Sequence, residues 1–120
     1  MEQLSISGEI LRGYTDLMVL RVLCDGDSYG YEISKNITRL SQERYTVKEA
    51  TLYAAFSRLG KLGYIRSYPG TFSEGRERTY YALTDEGREY YRSKCAEWVQ
   101  TKYLIEDFIL GGSFFENGSN

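Results

Sequence analysis

The sequence is poor in the residue types on which many enzymes depend. Its 120 residues include no histidine, one proline and two cysteines, Cys24 and Cys95. Without histidine the chain cannot form a Ser-His-Asp triad, a Cys-His pair or a zinc site that uses imidazole. The cysteines lie far apart in apolar helical patterns, which predicts buried thiols in a reducing compartment rather than a disulfide framework. An enzyme is therefore the least favoured class of protein, and we expect no cofactor and no metal.

Long apolar runs are absent as well. Charged residues recur every few positions, so no segment reaches the ~18 apolar residues that a membrane helix needs. Residues 1–3 have no basic stretch of the kind that opens a secretion signal. We therefore expect a cytoplasmic protein without membrane contact. The length and the hydrophobic content of 42% suit one folded domain with one core.

Charge is distributed unevenly along the chain. The net formal charge is −2, but residues 44–78 carry seven basic and three acidic side chains, which gives this segment +4 and the remainder −6. A positive segment within one domain is typical of a surface that faces a polyanion such as DNA. The alternative is a set of solvated charges on an ordinary surface. The basic residues are Arg44, Lys48, Arg58, Lys61, Arg66, Arg76 and Arg78.

Apolar residues recur at helical spacing in three segments of the first half of the chain. The first helix is predicted over residues 9–24, and a turn at residues 25–28 separates it from a second helix and caps that helix. The third helix is predicted to begin near Thr46, because a hydroxyl followed three positions later by Glu49 matches a capping box. Gly63 suits the left-handed conformation in which many helices end.

A hairpin and a long helix are predicted in the second half. Residues 64–68 and 78–83 are rich in strand-forming side chains and flank a glycine-bounded loop. Pro69 favours an edge position for the first of these strands. The last helix is predicted from Asp85 to about Gly111, with the preceding hydroxyl of Thr84 as its cap.

This order of elements is that of a winged helix-turn-helix with a C-terminal extension. We expect a mainly α fold with a small β-hairpin, in which residues 1–84 form the winged helix-turn-helix DNA-binding domain. Residues 85–111 form a long C-terminal dimerisation helix, and residues 112–120 form a disordered tail.

The third predicted helix has an unusual face opposite its apolar stripe. Small residues dominate the centre of this face, as expected for a helix that enters the major groove of DNA with polar residues at its edges. Alanine also forms helices well, so helix propensity alone is the alternative explanation. The face comprises Ala50, Ala54, Ser57 and Lys61, with Thr51, Tyr53 and Arg58 beside it.

Two arginines precede and enter the second predicted strand. The period of two places Arg76 and Arg78 on one face of the hairpin, where they could reach DNA phosphates beside the groove. The alternative is a surface ion pair with Glu74 or Glu77.

The last predicted helix carries a long apolar stripe. Because three helices and a hairpin already supply a core, we predict that this stripe joins two copies of the chain in a homodimer, whereas packing within one chain is the alternative. Trp98 either packs in this interface or lines a cavity for flat apolar ligands. The predicted interface residues are Tyr91, Cys95, Trp98, Ile105, Phe108 and Ile109.

Three groups of residues resemble motifs of the PadR family of bacterial transcriptional regulators. Residues 30–33, Gly-Tyr-Glu-Ile, match the opening of the family's second helix. Residues 51–65 resemble its recognition helix, and residues 75–88 resemble its wing and the exit from the wing. The resemblance extends to about Ile109, and the single terminal helix is similar to the family's smaller subgroup.

The resemblance implies a dimeric repressor whose two third helices enter successive major grooves of a pseudo-palindromic operator. It implies DNA contacts by Lys48, Thr51, Tyr53 and Arg58. It also implies a response to phenolic or other planar aromatic effectors, for which Trp98 is the matching position.

The sequence departs from the family pattern at three places. Ala50 and Ala54 stand where glycine and proline are common, and Glu77 interrupts the basic wing. Fewer phosphate contacts would make DNA binding weaker or more sensitive to salt. The alternative function is a winged-helix module that binds proteins and not DNA, because fold alone does not determine function.

Overall fold

Helices dominate the structure, a computed structural model that describes residues 6–70 and 77–110. Arg76 and the predicted tail at residues 112–120 lie outside the described residues. The elements in chain order are α1 (Gly8–Arg12), α2 (Thr15–Cys24), β1 (Ser28–Tyr29), α3 (Gly30–Leu40), α4 (Glu49–Lys61), β2 (Ile65–Pro69), β3 (Thr79–Leu83) and α5 (Asp85–Leu110). A mainly α winged helix-turn-helix with a long C-terminal helix is therefore confirmed.

The first helix is broken where the sequence predicted a continuous one. α1 ends at Gly13, whose backbone N–H donates to carbonyl groups of its last turn, and α2 begins at Thr15. Glycine is among the weakest helix formers, so one glycine between two apolar segments is enough to end the first of them. The side chain of Thr15 is fully buried and starts the part of the helix that belongs to the core.

Within residues 6–70 and 77–110 the sheet has three strands and not two. β3 lies in the middle and pairs in antiparallel fashion with β2 on one side and with the short β1 on the other. The predicted hairpin and the edge position of Pro69 are confirmed. The predicted turn extends only as far as residue 27, because Ser28 belongs to β1 and pairs with Tyr81. The Ser28 hydroxyl donates a hydrogen bond to Glu32 in the first turn of α3.

Three helix caps were predicted at the two ends of α4 and at the beginning of α5. The capping box at Thr46 was wrong: α4 begins at Glu49, and Lys48 occupies the cap position without a side-chain hydrogen bond. Gly63 adopts a φ of 81°, as predicted for the end of this helix. The hydroxyl of Thr84 accepts a hydrogen bond from the backbone N–H of Gly87 at 2.9 Å and donates to the carbonyl of Gly63 at 2.7 Å. Thr84 thus caps α5 and ties it to the end of α4.

The core lies between the helices and the inner face of the sheet. α2 is its centre, because it packs against α3, α4, α5 and β3. Tyr81 of β3 stacks on Phe56 of α4 with ring centroids 4.1 Å apart, which joins the sheet to the helices. The buried apolar residues are Val19, Leu20, Val22, Leu23, Ile33, Ile37, Val47, Leu52, Ala55, Phe56, Leu59, Ile65 and Ala82.

α5 begins in close contact with the rest of the chain and then leaves it. Gly87 is the one buried residue of this helix, whereas most residues beyond Cys95 are exposed. None of the described helices combines the length and the apolar character that crossing a membrane requires.

Candidate nucleic-acid interface

The outer face of α4 is exposed to solvent. The opposite stripe, which includes Leu52 and Leu59, is buried in the core. This arrangement follows from the helical period, since the apolar side chains occupy one face and leave the small residues on the other. Exposed positions on the outer face are Ala50, Ala54, Ser57 and Lys61.

Tyr53 stands at the edge of this face and is held on two sides. Its ring meets Phe56 edge-on, with centroids 5.2 Å apart and planes at 88°. Its hydroxyl lies over Gly30, where an added Cβ would be only 2.6 Å from the Tyr53 oxygen. The side chain is nonetheless 47% exposed, so Tyr53 presents a ring of fixed orientation beside the small-residue face.

The other predicted contacts on α4 differ in exposure. Lys48 is exposed immediately before the first turn of α4, and Thr51 is half-buried one turn further on. The backbone N–H groups of a helix N-terminus attract anions, and an exposed lysine beside them adds to this positive potential. Lys48 thus places a cation beside these N–H groups, and the exposed Glu49 of the same turn opposes it with a negative charge.

Arg58 forms an ion pair with Asp16 of the same chain. Its Nε and a terminal nitrogen donate to the Asp16 carboxylate at 2.9 and 2.6 Å. This hydrogen bonding raises the pKa of Arg58 above its usual value. The DNA contact predicted for Arg58 therefore competes with a bidentate ion pair to α2.

Tyrosines cover the outer face of the sheet, where Arg78 also lies. The Arg78 guanidinium is 4.4 Å from the centre of the Tyr29 ring, and this ring packs against Tyr80 with centroids 5.4 Å apart. Tyr80 stacks on Tyr68, whose hydroxyl donates to Asp27 at 2.5 Å. Arg78 is thus half-buried at the base of the wing, on the face that the strand period predicted.

Sequence reasoning missed one exposed aromatic residue beside α4. Tyr31, in the first turn of α3, is 65% exposed, and the Lys35 ammonium lies 5.5 Å from its ring centre. Tyr31 borders the groove between α3 and α4 that Tyr53 and Glu49 also line. The signal in the sequence was the second position of the Gly-Tyr-Glu-Ile motif, at which a tyrosine interrupts the apolar period.

The residues predicted to form a dimer interface fall into two groups. Tyr91 and Cys95 are half-buried, and Tyr91 packs against the core of its own chain. Burial and the neighbouring Cys95 thiol raise the pKa of Tyr91 to about 12. The second group is exposed and consists of Trp98, Ile105, Phe108 and Ile109, with exposed fractions from 42% to 76%.

Trp98 lines a cavity of about 210 Å³ between α5 and the junction of α1 with α2. Tyr14 and Tyr90 supply further aromatic surface, and the Asp16 carboxylate that binds Arg58 forms part of the same wall. On the α5 side, Lys94 donates to Glu97 at 2.8 Å. The cavity thus combines aromatic side chains with three charged groups, Asp16, Lys94 and Glu97.

No arrangement of Cys, Asp and Glu side chains within residues 6–70 and 77–110 could hold a metal ion.

Comparisons with known proteins agree with this architecture. Residues 19–93 match the Transcriptional regulator PadR-like family. The chain is 40% identical over 106 residues to an uncharacterized protein of Lysinibacillus sphaericus, over 88% of this chain and 97% of that relative.

Solved structures of similar proteins include two from clostridia. A transcriptional regulator from Clostridium thermocellum is 54% identical with a TM-score of 0.78, over 87% of this chain and 98% of that one. A PadR family transcription regulator from hypervirulent Clostridium difficile is 36% identical with a TM-score of 0.70, over 81% and 99%. Members of the family are transcriptional regulators and not enzymes. The sequence match and these relatives together show that the chain belongs to the PadR-like family of transcriptional regulators.

Proposed function

We propose that this regulator binds a pseudo-palindromic operator as a homodimer and represses transcription from it. The observation that carries the proposal is the bare outer face of α4, whose small residues lie opposite a fully buried stripe. A helix needs low bulk at the centre of such a face to approach base edges in the major groove. In this proposal residues 1–84 bind DNA in the cytoplasm and residues 85–111 join the subunits.

The proposed contacts divide between bases and backbone. Thr51 and Tyr53 border the face that would enter the groove, whereas Lys48 lies at the helix N-terminus and would bind a phosphate. Arg76 and Arg78 would bind flanking phosphates from the wing. Phosphate contacts orient the protein and supply affinity that depends on salt.

The exposed end of α5 supports the proposed homodimer. Eight large apolar side chains between Trp98 and Leu110 are at least 41% exposed, an unusual concentration for a helix that remains unpaired. A second copy would bury them along a shared helical seam. Two α4 helices would then be held at half-sites about 34 Å, or a multiple of it, apart. The eight are Trp98, Val99, Tyr103, Leu104, Ile105, Phe108, Ile109 and Leu110.

We further propose that a planar aromatic or phenolic effector binds beside Trp98. The cavity there is bordered by α5, so an occupant could alter the separation of the two wings through the terminal helices. Such an effector must bind the two dimer shapes with different affinities, since otherwise it shifts no equilibrium.

A gel-shift series tests the DNA-binding function. The purified protein is titrated onto a duplex from the region upstream of its own coding sequence and onto a random duplex of equal length, over about 50–300 mM salt. We expect specific binding to be at least about tenfold tighter, and Arg76→Ala with Arg78→Ala to weaken it and reduce its salt dependence. Arg88→Ala with Arg92→Ala is the control, because it removes the same charge from exposed positions on α5.

Equal affinity for both duplexes at every salt concentration, with no effect of the wing substitutions, would contradict DNA binding and favour the protein-interaction module. The effector proposal has a separate readout in the fluorescence of Trp98, the one tryptophan of the chain. A phenolic acid such as 4-hydroxybenzoate that releases DNA without changing this fluorescence would place the effector site elsewhere.

A further inference from the structure

One ion pair joins the helix proposed to enter DNA to another helix of the chain. Arg58 lies in the last turn of α4, and Asp16 lies in the first turn of α2, 42 residues away in sequence. The other ion pairs among the described residues join positions three or four apart. Within this part of the chain, Asp16–Arg58 is therefore the one ion pair between separate elements.

The geometry of this pair fixes orientation as well as distance. Two nitrogens of the planar guanidinium donate to the two carboxylate oxygens, at 2.9 and 2.6 Å. A bidentate pair of this kind resists both sliding and rotation, unlike a single contact from a lysine. Each charge also lies at the helix end that favours it, since Asp16 is near an N-terminus and Arg58 near a C-terminus.

The pair occupies the place where three helices meet. Leu59, next to Arg58, is fully buried, so the end of α4 is fixed in the core on one side and by Asp16 on the other. Asp16 also borders the Trp98 cavity together with Tyr90 of α5. A change in the Asp16–Arg58 pair would therefore act on α4 from the side that faces α2 and α5.

Resting on the DNA binding proposed above, we propose that Asp16 is a positioning residue that sets the angle of α4 through Arg58, and that Arg58 does not itself contact DNA. The acidic partner then aids DNA binding although it carries the same sign of charge as DNA. This assignment reverses the effect expected if Arg58 were a phosphate contact.

The two roles of Arg58 predict opposite results for Asp16→Asn. If Arg58 bound phosphate, the substitution would free it and remove a repelling charge, so binding would tighten. If the pair positions α4, the substitution removes the ion pair that holds the end of that helix against α2, so DNA binding weakens. The salt dependence separates the roles as well. Loss of a phosphate contact makes the negative slope of log K against log salt less steep by about 0.9.

The experiment compares three variants on the upstream duplex over a range of salt concentrations. We expect Asp16→Asn and Arg58→Gln each to weaken binding by about fivefold, within the range of such couplings, with the salt slope unchanged. The double variant Asp16→Arg with Arg58→Asp restores the pair in reverse and should recover part of the affinity, because each charge then lies at the helix end that does not favour it. Arg21→Gln is the control, since it removes a charge from an exposed pair within residues 21–25 and should leave binding unaltered.

Tighter binding by Asp16→Asn, a slope reduced by about one in Arg58→Gln, or unchanged affinity in both variants would overturn the proposal. Hydrogen exchange of the free protein is measured in parallel at the backbone amides of residues 58–61. Exchange should be faster in both single variants than in the unaltered protein, and slower in the double variant than in either single variant. If the unaltered protein shows no preference for the duplex, the proposed function fails, and unchanged exchange in the single variants would then overturn the positioning role by itself.

Discussion

Gly87, in the first turn of α5, is buried in close contact with the rest of the chain. A Cβ added there would lie 2.0 Å from the carbonyl oxygen of Tyr64 and 2.9 Å from Cδ1 of Leu83. In protein structures a Cβ atom essentially never lies within 3.0 Å of a heavy atom from a residue that is not its neighbour in the chain. Gly87→Ala must therefore move α5 and the Tyr64 backbone apart by about 1 Å or more.

Two effects of opposite sign determine how much Gly87→Ala changes the free energy of unfolding. Forcing a methyl group into a packed contact costs about 1–3 kcal/mol. Alanine in place of glycine in a helix returns up to about 1 kcal/mol, because it restricts the unfolded chain. Because the shortest contact is to a backbone atom, the cost lies in the upper part of this range, about 2–3 kcal/mol. We therefore expect a net loss of about 1–2 kcal/mol in the free energy of unfolding, which lowers Tm by about 4–8 °C for a chain of this size.

Urea unfolding at equal protein concentrations measures this loss, since the stability of a dimer depends on concentration. Gly60→Ala is the matched control: Gly60 is exposed on α4 and has no atom within 4 Å of an added Cβ. It should be neutral or stabilising by up to about 1 kcal/mol. If Gly87→Ala proved as stable as the unaltered protein, the close approach of α5 to Tyr64 would be wrong.

Three further substitutions test other parts of the structure. Burial raises the pKa of Tyr91 to about 12 in the folded chain, so the folded state holds this proton more tightly than the unfolded state between pH 10 and 12. Stability should therefore fall as the pH rises through this range, and Tyr91→Phe should flatten the fall in urea titrations at pH 9 and 11. Phe108→Glu places a charge on the most exposed apolar side chain of α5 and should convert the proposed dimer to monomer in sedimentation measurements. Gln100→Glu should not, because Gln100 is exposed and lies two positions from Trp98, on the opposite side of the helix. Gly30→Ala would bring a Cβ within 2.6 Å of the Tyr53 hydroxyl and should displace that ring, weakening operator binding by about tenfold. The loss caused by Gly30→Ala should be smaller in a Tyr53→Phe background, which lacks the clashing oxygen; an equal loss in that background would mean that the hydroxyl does not constrain residue 30.

Local periodicity was sufficient to predict most helices and the hairpin. The pattern around Leu52 and Leu59 identified the buried face of α4, and the structure agrees. Periodicity did not predict the end of α1 at Gly13, because one weak helix former interrupts an apolar period that otherwise continues. It also missed β1, because Ser28–Tyr29 is too short to show the period of a strand.

The candidate site was predictable where it depends on one element and not where it depends on two. The bare face of α4 follows from the spacing of its own residues. The partner of Arg58 does not, because Asp16 lies 42 positions away and only the folded chain brings them together. Tyr91 shows the same limit: its place in an apolar stripe did not reveal that it packs against its own chain.

The short strand β1 has a consequence for how the domain folds. It pairs with residues of β3 about fifty positions later, whereas α3, α4 and the hairpin are built from neighbours in sequence. Closing so long a loop for two residue pairs is favourable only after the hairpin and the helices already exist. We therefore expect β1 to join the sheet late, so that weakening the Tyr29–Tyr80 contact would speed unfolding and leave the folding rate nearly unchanged.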